Sequence, residues 1–376
     1  MLKEQSPLTR RDFLRRHAAT AALGGFAILG LSSRADGERK QSFRELIALD
    51  IAEGMAHGVV VLAARGDKTL FHEAFGRART DPAVPMRPDS IFDIASVTKV
   101  VATATACAIC LDRGLIAIDA PVGRYLPGIE EAGRDILIRD LATHMSGYDN
   151  TKNYLASVLR GADPVAAIQR ERPVRKPGEQ YRYACINLML LGLVVEAVTG
   201  MRLDEFCERQ IFRPLGMHDT HFGPVDGGDP RVVKMLNADP GVISDEPARA
   251  ARRPLGNAGL FSTTPDLARF AQMLIGRGAR DGARIVSPET VSLFERRLNQ
   301  PPHHPRAFGW DLAPELRPSN LTDQTYYHTG WTGQSLYIDP GTDAYVVVLS
   351  NRTGDHDKAK IQRMDIARAV LAEAGC

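Results

Sequence analysis

Residues 41–55 carry apolar positions at helical spacing and read as an amphipathic helix. The short apolar run Val59-Val60-Val61-Leu62-Ala63 and the segment Thr69 to Phe75 read as two strands joined by a turn at Arg65-Gly66-Asp67. A long helical stretch opens at Ser96 and ends near Gly114. From there to about Ser287 the pattern stays helical with many Gly and Pro breaks. Leu188 to Val198 is closed by Gly200, and Asp266 to Gly276 is introduced by Ser262-Thr263-Thr264-Pro265. Near residue 307 strands return: Phe308 to Leu312, Gln324 to His328, Ser335 to Ile338 and Tyr345 to Leu349, separated by Gly, Pro and Asp turns. Asp355 to Ala374 closes the chain as a helix.

Strands at both ends with helices between them predict an α/β (α+β) fold. One antiparallel sheet lobe comes from residues 36–95 and 300–376, and a helical lobe, 96–299, is inserted between its parts. A cleft between two lobes is a natural place for a site. The loop-like stretch from Pro224 to Arg253 is placed at its rim, with Asp245 and Glu246 either starting a helix or facing the cleft.

Composition fits this picture, with 376 residues, 44% hydrophobic and 24% charged, as in an ordinary globular chain. Cys107-x-x-Cys110 falls inside the apolar run Ala102 to Leu111 and reads as a pair of core cysteines, not a redox or zinc pair. No run after position 35 is expected to span a bilayer.

The N-terminus differs from the rest. Thr9-Arg10-Arg11-Asp12-Phe13-Leu14-Arg15 precedes an apolar stretch, Ala18 to Leu31, and then Ser32-Ser33-Arg34-Ala35. This order of charged, apolar and small residues is that of a secretory signal, and the paired arginines resemble a twin-arginine export signal. Residues 1–35 are therefore expected to direct the chain to the periplasm or outside the cell, or to anchor it if they are not cleaved. Their removal takes away six basic and two acidic residues, leaving 41 basic against 43 acidic. No basic surplus remains to argue for nucleic acid.

The candidate chemistry starts at Ser96-Val97-Thr98-Lys99. On a helix, residues three apart share a face, with Cβ atoms about 5–6 Å apart. A serine hydroxyl needs a neighbouring base to become a nucleophile, and a lysine serves only if its surroundings retune it. Two further segments answer the serine. Tyr181-Arg182-Tyr183-Ala184-Cys185-Ile186-Asn187 places a tyrosine at a loop-to-helix junction, and Tyr327-His328-Thr329-Gly330-Trp331-Thr332-Gly333 flanks a strand edge with glycines. No Gly-x-Ser-x-Gly elbow and no His-Glu-x-x-His metal spacing is present.

In this order the three segments resemble the serine β-lactamase and penicillin-binding-protein superfamily, with its Ser-x-x-Lys, Tyr-x-Asn or Ser-x-Asn, and Lys/His-Thr-Gly. Flanks agree at Leu115 to Pro127, Ile136 to Gly147, Pro214 to Thr220, Asn257 to Thr263 and Ile338 to Asn351, so the likeness covers roughly residues 40–376. The tyrosine and His-Thr-Gly are similar to the branch of class C β-lactamases, low-molecular-weight D,D-carboxypeptidases, D-aminopeptidases and family VIII esterases. The resemblance implies a β-lactamase/transpeptidase-like fold and a Ser96 acyl-enzyme. It implies Lys99 and Tyr183 as proton carriers, leaving open which is the base. The backbone N–H groups of Ser96 and Trp331 would form an oxyanion hole, with Cys185, His328, Thr329 and Gly330 lining the substrate site. It implies neither cofactor nor metal.

Two positions depart from the family pattern. Cys185 stands where the third-position asparagine belongs, and a thiol is a weak partner for a substrate amide; Asn187 is the other nearby amide. His328 replaces a lysine and would be only partly charged near neutral pH. His144 is read as structural, and His303-His304 as part of an exposed loop. The expected function is an exported, monomeric serine hydrolase acting on peptide, cell-wall-derived or other small-molecule substrates. D,D-carboxypeptidase-like or D-amino-acid peptidase activity comes first, with a carboxylesterase or weak β-lactamase as the alternative. An inactive peptidoglycan-binding module is the alternative of a different class.

Overall fold

The computed structural model describes residues 41–149 and 152–375; the twin-arginine-type leader read in residues 1–35 lies outside them. Helix α1 (Phe43–Ala52) opens on a capping box, in which Ser42 Oγ accepts the Glu45 N–H and the Glu45 carboxylate accepts the Ser42 N–H. Strands β1 (Ala56–Arg65), β2 (Lys68–Thr80) and β3 (Ala83–Pro85) follow. Near the C-terminus come β4 (Tyr326–Thr329), β5 (Gln334–Asp339) and β6 (Ala344–Arg352). They form one antiparallel sheet in the order β3-β2-β1-β6-β5-β4, joined at its centre by the pairing of Val60 with Leu349.

Period-2 alternation sends the two faces of this sheet to different cores. Val59, Val61, Ala63, Tyr337, Val346 and Val348 pack under α1 and the C-terminal helix (His356–Glu373), with Phe43, Ile47, Ile366 and Val370. Val60, Leu62, Leu336, Ile338, Val347 and Leu349 face the larger core, shared with the central helices. The fold is thus a mixed helix and antiparallel-sheet one, with α+β layering.

The stretch that opens at Ser96 is not one regular helix. A 3-10 turn (Ala95–Val97) leads into a π-helical segment (Lys99–Ala104) and only then into α2 (Thr105–Asp112). Contrary to the sequence expectation, Ala95–Asp112 is long and apolar enough to cross a bilayer by length and composition, with mean hydropathy 1.4. It is 83% buried inside the protein, which is how a core helix comes to be apolar on all sides. Cys107 and Cys110 are unpaired core residues on α2.

Helix α3 (Cys185–Thr199) ends at Gly200 in the left-handed region, φ 68°. Helix α4 (Thr264–Ile275) is capped by Thr263, whose side chain accepts the Asp266 N–H.

The expected strand Phe308 to Leu312 does not form. Gly309 takes φ 83° and donates its N–H to the Ala142 carbonyl, and the segment keeps only isolated bridges, among them Asp311 with Tyr327. A Cβ at Gly309 would lie 2.8 Å from Ala104 Cβ, so this bend packs directly on the helix that follows Ser96. Phe308 and Trp310 are both buried in the core instead of alternating across a sheet.

Candidate active site

Ser96 stands on a turn that is held open by its neighbours. Ala95, just before it, adopts φ 46°, an uncommon conformation for a residue with a Cβ. Fully buried Asp93 fixes it: one carboxylate oxygen accepts the Ala95 N–H at 2.8 Å, and the other accepts the Ser244 N–H at 2.8 Å and hydroxyl at 2.7 Å. Burial pushes the Asp93 carboxyl above its ordinary range against these three donors.

Lys99, one turn on, has no solvent exposure. Its Nζ lies 3.0 Å from Ser96 Oγ, 2.8 Å from the Asn257 carbonyl oxygen and 3.5 Å from Cys185 Sγ. Three heavy-atom partners match the three N–H groups of an ammonium. Burial works against the charge, but Cys185 and Tyr183 together outweigh it and the lysine is driven upward. The Asn257 end is itself fixed, because Asn257 Nδ2 donates to Asp245 Oδ1, which also caps the helix Glu246–Ala250. Asp245 is thus a helix start that also reaches the lysine's shell.

Tyr183 lies two residues before α3, with its ring 5.2 Å from Lys99 Nζ and 38% of its surface exposed. His144 packs against it at 4.4 Å between ring centres. His144 Nδ1 accepts the Ala184 N–H at 3.2 Å and the Asn187 Nδ2 donor at 3.0 Å, so its proton sits on Nε2. Asn187 in turn accepts the Ser146 hydroxyl at 2.6 Å. Asn187 is fully buried and committed to this network, so it does not replace the amide missing at Cys185.

On the sheet side, β4 brings His328 within 6.2 Å of the Tyr183 ring. His328 Nδ1 donates to the Thr329 carbonyl at 3.0 Å. Burial, with Arg306 and Lys99 nearby, drives its pKa well below that of a free histidine. It is therefore a neutral ring with a buried Nε2 lone pair, not the partly charged anchor expected from its type.

Gly330 permits a close approach: a Cβ there would meet Gln334 Oε1 at 2.4 Å and the Ile94 carbonyl at 2.9 Å. This brings the β4–β5 turn against the turn that carries Ser96. Among the described residues the Trp331 N–H, next in the chain, finds no backbone acceptor, and the Ser96 N–H lies in the first turn of a helix, where N–H groups lack helical partners. The Trp331 ring is half exposed, resting on the Arg352 guanidinium at 4.6 Å and the His356 ring at 4.7 Å.

The structure thus gathers Ser96, Lys99, Tyr183, Cys185, His328, Thr329, Gly330 and Trp331 around one place. It adds Asp93, Ser244, Asn257 and His144, which the motifs do not single out in these roles. His304 is not simply part of an exposed loop: it stacks on Tyr181 at 4.7 Å and bonds Asp311 at 2.9 Å. Two open hollows elsewhere, one lined by Glu205, Phe212 and His221 and one by Ser157, Arg170 and Glu171, contain none of these groups. Among the described residues no cluster of three or more His, Cys, Asp or Glu could hold a metal ion. The arrangement offers a hydroxyl beside a buried amine and a phenol, with two N–H groups close by, which is the equipment for acyl transfer.

Comparison with known proteins agrees. The family model described as Beta-lactamase matches residues 43–371. A protein of Escherichia coli strain K12 named "Putative D-alanyl-D-alanine carboxypeptidase" is 28% identical over 340 residues, covering 78% of each chain. Among solved structures, EstCE1, a hydrolase with promiscuous acyltransferase activity, superposes with TM-score 0.72 at 22% identity, over 87% of this chain and 97% of its own. A class C β-lactamase from Rhodobacter sphaeroides does so with TM-score 0.71 at 21% identity, over 89% and 99%. These structural likenesses are likenesses of fold.

Proposed function

As the chain belongs to the Beta-lactamase family of serine hydrolases, we propose that Ser96 attacks a substrate carbonyl and is acylated by it. The carrying observation is the 3.0 Å approach of the fully buried Lys99 amine to the Ser96 hydroxyl. The Ser96 proton passes to the Lys99–Tyr183 pair, whose protons are shared. The same proton goes to the leaving amine or alkoxide as the carbonyl–heteroatom bond breaks. Water then attacks the Ser96 ester, giving its proton to the pair, and Ser96 leaves with a proton as the acid departs. The Ser96 and Trp331 N–H groups stabilise the oxyanion, a contribution of roughly 3–4 kcal/mol per donor in comparable sites.

The substrate class we favour is a peptide ending in D-amino acids, supported by the name of the Escherichia coli relative and by His328-Thr329-Gly330. One observation favours a second reading, hydrolysis of small esters. Cys185 turns its thiol to Lys99, and Asn187 is withdrawn from the site, so no side-chain amide of the tyrosine motif meets a substrate amide. A panel of D-Ala-D-Ala peptides, short acyl esters and nitrocefin separates these readings. Labelled penicillin or a fluorophosphonate is expected to modify Ser96; a folded protein that takes up neither refutes the acyl-enzyme.

Export through the twin-arginine-type leader belongs to the same proposal. Replacing Arg10 and Arg11 by lysine is expected to hold precursor in the cytoplasm, and unchanged secretion would refute it.

A further inference from the structure

Among the described residues, two arginines at the end of the sheet behind Trp331 are buried without a carboxylate in ion-pair contact. Arg352 is 4% exposed and Arg363 is 3% exposed. Arg352 Nε donates to the Trp331 carbonyl at 2.8 Å and Nη1 donates to the Gly354 carbonyl, but Nη2 is buried with no partner. Arg363 Nε donates to Ser335 Oγ at 2.9 Å, and both Nη1 and Nη2 are buried with no partner. His356, one face and two turns from Arg363 on the C-terminal helix, adds a buried Nδ1 without a partner.

Arg352 and His356 both lie against the Trp331 ring. Arg363 follows His356 on the same helix face, near enough for the three groups to act on one another electrostatically. Burial, reinforced by Arg352, pushes Arg363 down to about 10, and burial with the surrounding cations pushes His356 down to about 4. The acids close by are engaged elsewhere. Asp355 caps the C-terminal helix, Asp357 pairs with Lys360, and Asp365 pairs with Arg368. Asp50, pushed up to about 6 by burial and Glu53, stays mostly ionised at neutral pH and acts on Arg363, but it accepts no hydrogen bond from the orphaned Arg363 nitrogens.

Buried guanidinium N–H groups are nearly always hydrogen-bonded, and a buried charge left unpaired is costly. We propose that Arg352, Arg363 and His356 bind a small inorganic anion of chloride size beneath the Trp331 ring. The three orphaned guanidinium nitrogens supply its hydrogen bonds. Because Arg352 also holds the Trp331 carbonyl, the bound ion fixes the turn between β4 and β5 from behind.

The test is thermal unfolding of the full chain in chloride and in gluconate, a much bulkier anion, at constant ionic strength. Chloride is expected to raise Tm saturably, by about 3 °C at a large excess over its Kd, and bromide to do the same. Crystals grown in bromide are expected to show anomalous density within hydrogen-bond reach of the Arg352 and Arg363 nitrogens, and Arg363→Met to abolish the chloride dependence. Equal Tm in chloride and gluconate would overturn the proposal and assign water to these nitrogens. So would a retained chloride dependence in Arg363→Met. Should that variant not fold, the bromide map of the native protein decides: density at the two arginines supports the site and its absence rejects it.

Discussion

The Cys185 thiol lies 3.5 Å from the Lys99 amine, in the position from which the family motif presents an asparagine. A thiol neither donates nor accepts strongly, so the lysine keeps a soft neighbour and the substrate loses an amide partner. Cys185→Asn is expected to raise kcat/KM for amide substrates by about tenfold, the value of roughly one net hydrogen bond, and to leave ester turnover unchanged. Steady-state kinetics on matched amide and ester substrates check this; equal effects on both would remove the thiol from the specificity argument.

Asp93 governs the turn on which Ser96 stands. Asp93→Ala leaves the Ala95 and Ser244 donors without their acceptor and frees a residue at φ 46° to relax. Loss of about 2–4 kcal/mol of stability is expected from the unmatched buried groups. A fall in kcat exceeding any change in KM is expected from the displaced hydroxyl. Ser244→Ala, which deletes one of the three bonds, should show a smaller version of both effects in denaturant titrations and kinetics.

His144 holds the Tyr183 segment through an acceptor nitrogen. His144→Ala removes the partner of both the Ala184 N–H and the Asn187 amide, and the stacking surface of the Tyr183 ring. Stability should drop by about 2–4 kcal/mol and kcat by about a hundredfold, with KM less affected. Burial first, then Arg306 and Lys99, drives the His144 pKa far down. No step in the pH–rate profile between pH 5 and 8 should therefore trace to it, which a profile of a His144→Gln variant checks.

Asp311 supplies the acid-side pH dependence. Burial pushes its carboxyl up, but Arg306 and His304 more than offset this and hold it at about 2. A depressed folded pKa contributes stability that is fully present above the unfolded value of about 3.9 and is lost as pH falls toward 2. Asp311→Asn is expected to cost about 3–5 kcal/mol at pH 7, because Arg306, which is 1% exposed, loses its counter-ion. The difference from the native protein should shrink in urea titrations carried from pH 5 down to pH 2.

Much of this architecture is legible in local pattern. The run Val59 to Ala63 lies within β1, Ser335 to Ile338 within β5 and Tyr345 to Leu349 within β6, because each has strand propensity and turn residues at both ends. Phe308 to Leu312 has the same composition but bends at Gly309 to meet Ala104, a contact between segments about 200 positions apart that no local window contains. The site divides in the same way. Ser96, Lys99 and Tyr183 stand out as side chains in ordered motifs. The Asn257 carbonyl on Lys99 is a backbone group that any residue type could supply. The Asp93–Ser244 bond joins two common polar residues 151 positions apart. Asn187 is placed by its motif spacing near the substrate and by its hydrogen bonds in the core, and only the folded chain distinguishes the two.

The pairing of β1 with β6 sets the order in which this molecule can be completed. Val60 meets Leu349 across nearly the whole sequence, and β4 and β5, which bring His328 and Trp331 to Ser96, are joined to β1 only through β6. Contacts this distant in the chain form late, after the large entropic cost of closing the intervening loop has been met. A ribosome-bound chain lacking its last strand has the Ser96 hydroxyl and the Lys99 amine but no anchored edge to bring a substrate against them. Hydrolytic competence therefore arrives in one step, when β6 joins β1 and carries β4 and β5 to Ser96, and not by gradual assembly of the motifs.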